Sequence, residues 1–118
     1  MSPDQFLTLL KSTVTTDEFG TIFWYVNDQL HREDGPAVIY ADGHQEWWVG
    51  GELHREDGPA IVWTDGTKHW YINGRLHRED GPASIYADGT KEWWINGLHR
   101  SGNFLHGSQE RWINGERR

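Results

Sequence analysis

The sequence predicts an all-β chain assembled from repeats of 23 residues, preceded by one short helix. Three observations carry this expectation. The octad Leu30-His31-Arg32-Glu33-Asp34-Gly35-Pro36-Ala37 returns at Leu53 to Ala60 and at Leu76 to Ala83, 23 residues on each time. Between the octads, runs of three to four residues are rich in β-branched and aromatic side chains, the composition of strands. Asp-Gly and Asn-Gly pairs separate the runs at Asp42-Gly43, Asp65-Gly66, Asp88-Gly89, Asn73-Gly74, Asn96-Gly97 and Asn114-Gly115. Such pairs mark tight turns because they accept positive φ.

The elements follow in order. Residues 1–19 read as a helix and cap. Ser2 suits an N-cap, Pro3 the first helical position, and Gln5 completes a Ser-x-x-Gln capping box, so the helix runs from Pro3 to about Lys11. Phe6, Leu9 and Leu10 lie on one side of it, suited to cover one end of a sheet. Residues 20–118 read as the repeat array. A half unit, 20–29, carries Trp24-Tyr25-Val26 where full units carry a Trp-Trp-Val type run. The full unit 30–52 continues from its octad into Val38-Ile39-Tyr40, the turn Ala41-Asp42-Gly43 and Glu46-Trp47-Trp48-Val49. The units 53–75 and 76–97 repeat this with Ile61-Val62-Trp63 and His69-Trp70-Tyr71-Ile72, then Ser84-Ile85-Tyr86 and Glu92-Trp93-Trp94-Ile95. Pro36, Pro59 and Pro82 stand at the start of a run, where a missing N–H does least harm. A degenerate unit, 98–118, opens with Leu98-His99-Arg100 and closes with Glu110 to Gly115. Atypical end units suit an array whose ends cannot stack further.

Composition narrows the function. A length of 118 residues is one domain by default. Eight Trp supply enough ring surface for a core, which argues against disorder. Eighteen acids against eleven bases give a net charge of −7, which argues against direct binding to nucleic acid or to anionic membrane. With no Cys there is no disulfide, thiolate zinc site or cysteine nucleophile. No apolar run reaches membrane length, and Met1 to Leu10 lacks the pattern of a secretory signal, so a cytoplasmic location is expected.

The stretch Tyr86 to Gly97 and the piece Asn73-Gly74-Arg75-Leu76-His77, followed by Gly81-Pro82, resemble MORN-type repeats. With the period of 23 they are similar to the MORN variant repeats of antitoxin-like and phage or viral proteins, over Gly20 to Gly115. Arg78-Glu79-Asp80, inserted before Gly81-Pro82, departs from that pattern and recurs in the other full units. The resemblance implies that each unit is a β-hairpin and that the hairpins stack into a single twisted antiparallel sheet. It also implies a binding scaffold, with no catalytic residues to carry over.

Alternation assigns the faces. Trp47, Trp70 and Trp93 share a side with Val49, Ile72 and Ile95 and with Ala37, Ile39 and their equivalents, which reads as the core face. The opposite side carries Trp48, Tyr71, Trp94 and Trp112, with Tyr40, Trp63 and Tyr86, beside Glu46 and Glu92. These residues read as a half-wet partner-binding row, with Ser84 at the place of Val38 and Ile61 as a sign of exposure. The alternative is self-packing, as aromatic ladders between neighbouring strands or as a sheet curled so that both faces are partly buried.

The octads add an acidic edge of Glu33, Asp34, Glu56, Asp57, Glu79 and Asp80, with equivalent residues about 10 Å apart. Their arginines are expected to pair with acids of a neighbouring copy, and the Asp before each Gly to shape a turn. Such a row can mimic a phosphate backbone and occupy a basic groove; the bland alternative is a solvated rim. The same spacing separates His31, His54, His77 and His99 too far to share a metal, and no cofactor is expected. Only His99 with His106 could converge. Repeated copies without a nucleophile motif argue against an enzyme. The expectation is a non-catalytic protein-binding module for a basic, nucleic-acid-binding protein partner, in the manner of a phage or viral inhibitor of a host defence complex. The alternatives are a nucleotide- or sugar-binding protein using the Trp/Tyr ladder and a self-associating structural protein.

Overall fold

The computed structural model of the chain describes residues 11–100, 112–113 and 116–117. Every regular element among them is a short strand: β1 (Ser12–Thr16), β2 (Ile22–Val26), β3 (Gln29–Leu30), β4 (Val38–Ile39), β5 (Gln45–Glu46), β6 (Trp48–Val49), β7 (Glu52–Leu53), β8 (Ile61–Val62), β9 (Lys68–His69), β10 (Tyr71–Ile72), β11 (Arg75–Leu76), β12 (Ser84–Ile85), β13 (Lys91–Ile95), β14 (Leu98–Arg100), β15 (Trp112–Ile113) and β16 (Glu116–Arg117). The all-β class is therefore as expected. Among the described residues no helix is long and apolar enough to cross a membrane. The expected helix falls almost wholly outside the described residues. Within the rest of the segment expected as helix and cap, Ser12-Thr13-Val14-Thr15-Thr16 forms an exposed edge strand paired residue for residue with β2. Its β-branched composition favours that outcome.

The strands do not make one sheet. Ten belong to a main antiparallel sheet ordered β1-β2-β4-β5-β8-β9-β12-β13-β14, with β3 on the second half of β2. The pairs β6–β7, β10–β11 and β15–β16 are separate two-stranded ribbons. The division arises at one residue per unit. Trp47 donates its N–H to the Ala60 carbonyl on the main-sheet side, and its own carbonyl accepts from His54 on the ribbon side. Trp70 does the same with Ala83 and His77, and Trp24 with Ala37 and His31. One apolar run thus serves two sets of partners, and after Trp47 and Trp70 its second half leaves the main sheet as β6 and β10, whereas β2 stays whole.

Two turn types close the hairpins. At Asn73-Gly74 and Asn96-Gly97 both central residues have positive φ (50° and 79°, then 51° and 79°), the conformation whose handedness matches antiparallel strands. At the Asp-Gly sites only the glycine is left-handed, with φ of 99°, 97° and 91° at Gly43, Gly66 and Gly89. There the Asp side chain accepts the N–H two residues on, as Asp42 does from His44 and Asp65 from Thr67.

Register fixes the faces. One cross-strand row reads Phe23, Val38, Glu46, Ile61, His69, Ser84 and Glu92. The row on the opposite face reads Ile22, Ile39, Gln45, Val62, Lys68, Ile85 and Lys91. Ala37, Ala60 and Ala83 are fully buried, and so are Val38 and Ser84. Burial of Val38 and Ser84 corrects the reading of that side as wet, while Ile61 at the equivalent place is half-buried. Ser84 is buried because its hydroxyl meets His69 Nδ1 at 2.8 Å across the sheet. That bond answers the cost of burying a polar group in a place that is apolar in the other units.

Candidate functional site

Each repeated octad builds the same loop. The Leu carbonyl accepts an N–H from the next hairpin turn: Leu30 from Gly51, Leu53 from Gly74, Leu76 from Gly97, at 2.8 to 2.9 Å. The His beside it accepts a second turn N–H at Nδ1, from Gly50, Asn73 and Asn96 in the three copies. A ring nitrogen that accepts carries no proton, so Nε2 is the protonated nitrogen. It points at the Glu two residues on, 3.0 to 3.1 Å away in each copy.

The arginines sit at the centre of the loops. Arg32, Arg55 and Arg78 stack their guanidinium groups on Trp24, Trp47 and Trp70, 4.0 to 4.1 Å from the ring centroids. Each Nε donates to the Asp two residues on at 3.0 Å. Each Nη1 donates to the proline carbonyl four residues on. These ion pairs lie within one loop, which corrects the expectation that the arginines reach acids of a neighbouring copy. It also changes the role of Asp34, Asp57 and Asp80, which orient a guanidinium rather than close a turn. The glycine after each of them is needed for space. A Cβ on Gly35, Gly58 or Gly81 would stand 2.9 Å from the Arg Cζ, and none of the three has a left-handed φ.

With Arg and His held inside, the carboxylates remain outside. The Glu33, Glu56 and Glu79 side chains are 81 to 82% exposed. Successive loops enclose open grooves. The first, about 840 Å³, has Glu33-Asp34 and Glu56-Asp57 as walls and Trp47 with Val49 in its floor. The second, about 790 Å³, has Glu56-Asp57 and Glu79-Asp80 as walls and Trp70 with Ile72 in its floor. The acidic edge read from the sequence is thus brought together in space, with apolar surface between the acids. The arginine stacks that carry it were not foreseen. Their signal is a constant offset of eight residues from Trp24, Trp47 and Trp70 to Arg32, Arg55 and Arg78, which ends at Trp93 because position 101 is Ser.

The aromatic row is largely engaged with neighbouring carboxylates and histidines. The Trp48 indole donates to Glu46 at 2.9 Å and the Trp94 indole to Glu92 at 3.3 Å. The Tyr86 hydroxyl also donates to Glu92. The His44 ring lies between Tyr40 and Trp63, at 4.5 and 3.8 Å between centroids. Burial, then the nearby Glu46 carboxylate, pushes the Tyr40 and Tyr71 hydroxyls up from their ordinary pKa, and burial with Glu92 does so at Tyr86. Trp63 is the most open of these rings at 43%. Most of the row is thus half-buried and held by neighbouring carboxylates and imidazoles. Trp112 lies in β15, at the register position opposite Arg117.

Ser84, His69 and Glu92 bring the residue types of a hydrolytic triad onto three adjacent strands. The order is wrong for one: Ser84 lies between the other two, and it is fully buried, so no substrate reaches its oxygen. Among the described residues no group of three or more His, Asp or Glu is placed to hold a metal. His106 lies outside them. No family model, curated protein or solved structure matches the chain.

Proposed function

We propose that the chain is a stacked hairpin-repeat scaffold, similar to MORN-type repeats, that acts as a non-catalytic protein-binding module for a basic protein. The observation that carries this reading is the row of exposed carboxylates on loops already fixed by Arg–Trp stacks and Arg–Asp pairs. A preorganised charged surface loses little freedom on binding and steers a partner of opposite charge. A nucleic-acid-processing enzyme, with its basic groove, is the class of partner this charge fits, and an inhibitor of a host defence complex is one such role. Capture from lysate should yield a basic protein at low salt that is released at high salt. The triple variant Glu33→Lys, Glu56→Lys, Glu79→Lys should lose it. Retention of the same protein by the triple variant would overturn the reading.

A further inference from the structure

We infer that the two grooves take an extended basic peptide in the polyproline II conformation, with a lysine or arginine at every third residue. This inference rests on the protein-binding reading above and specifies its partner. The grooves are copies of one another, share the Arg55-Glu56-Asp57 wall, and succeed one another along the array. Their loops lead into β4, β8 and β12, which lie two strands apart in the main sheet. Two strand spacings are about 10 Å.

A ligand crossing the loops must therefore offer equivalent groups about 10 Å apart on one side. A β-strand does not: two residues advance about 6.6 Å and four about 13 Å. A polyproline II helix does, since three residues make one turn and advance about 9.3 Å. Charge selects the side chain. Each groove presents two Glu-Asp pairs, against one Arg per wall that is already paired with its own Asp. An aliphatic stem ending in a cation fits this lining, with methylenes on Val49 or Ile72 and the charge between the walls.

The test is calorimetric titration of the full chain with peptides of equal charge and differing spacing. They are Lys-Pro-Pro-Lys-Pro-Pro-Lys, Lys-Pro-Lys-Pro-Lys and Lys-Pro-Pro-Pro-Lys-Pro-Pro-Pro-Lys, with spermine as a backbone-free polycation. The three-residue spacing should bind about tenfold more tightly than the others, because it fills both grooves at once. Glu56→Gln, in the shared wall, should weaken it about threefold. Equal binding of all three peptides would overturn the spacing and leave a basic protein partner standing. Spermine binding as tightly as the best peptide would overturn the peptide assignment. No binding by any of them to a chain shown folded by circular dichroism would overturn both.

Discussion

Arg55 shows how much one side chain does in this structure. It stacks on Trp47, donates to Asp57 and to the Pro59 carbonyl, and sits directly beneath Gly58. Arg55→Lys keeps the charge but removes the planar stack and the forked donors. It should cost about 1–2 kcal/mol by urea unfolding, the scale of one cation–π contact and one charge-assisted hydrogen bond. Gly58→Ala should cost about 1–3 kcal/mol, because its Cβ must displace the guanidinium. In an Arg55→Ala background the same change should be neutral or slightly stabilising, since only the unfolded-chain entropy of glycine is then at stake. An equal cost in both backgrounds would show that Gly58 serves conformation, not space.

His69 supplies a pH dependence. Burial holds its pKa below the ordinary 6.5, with the Glu92 charge opposing more weakly. A depressed pKa means that the unfolded chain binds more protons at mildly acid pH. The stability it contributes is present above 6.5 and is lost as pH falls through the folded-state value. Urea midpoints should decline below pH 6.5, and His69→Gln should flatten part of that slope. Ser84→Ala, which removes the hydroxyl facing His69 Nδ1, should cost about 1 kcal/mol. Ser84 and His69 each depart from their equivalents in the other full units, Val38 and Ile61 for the first, Glu46 and Glu92 for the second. Reading Ser84 alone as a sign of exposure missed that two polar departures can answer one another inside.

Among the elements, turns were legible and strand partners were not. An Asn-Gly pair carries its backbone conformation in its own residue types, so the turn at Asn73-Gly74 follows from local chemistry. The run Glu46-Trp47-Trp48-Val49 looks like one strand because nothing local marks where its partners change. That change is made by His54 and Ala60, which bond Trp47 from the two ends of one loop. The side-chain alternation was legible throughout, since the register places Glu46, His69 and Glu92 in one row. Which row would be covered was not, because covering comes from loops and ring stacks that alternation does not encode.

At the scale of the whole molecule the array is thin, 17 Å along its shortest axis. Among the described residues few side chains are fully buried, and the largest of those are Val38 and Ser84. Stability must then come largely from contacts between neighbouring units, and these recur: Leu30–Gly51, Leu53–Gly74 and Leu76–Gly97 join successive hairpins in the same way. Excising residues 53–75 should join two compatible ends and leave a shorter, less stable chain with the same β-type circular dichroism. A chain that fails to fold would show that the middle unit, whose His69 bonds Ser84 of the next unit, is not interchangeable.

The acidic grooves and the aromatic row lie on different parts of this molecule, so one measurement separates them. Backbone amide shifts should be followed by NMR while the chain is titrated with the peptide carrying Lys at every third position. Perturbations should concentrate at Glu33 to Gly35, Glu56 to Gly58 and Glu79 to Gly81. Perturbations confined instead to Tyr40, Trp48, Trp63, Tyr71, Tyr86 and Trp94 would overturn binding at the acidic edge and return the binding surface to the aromatic face.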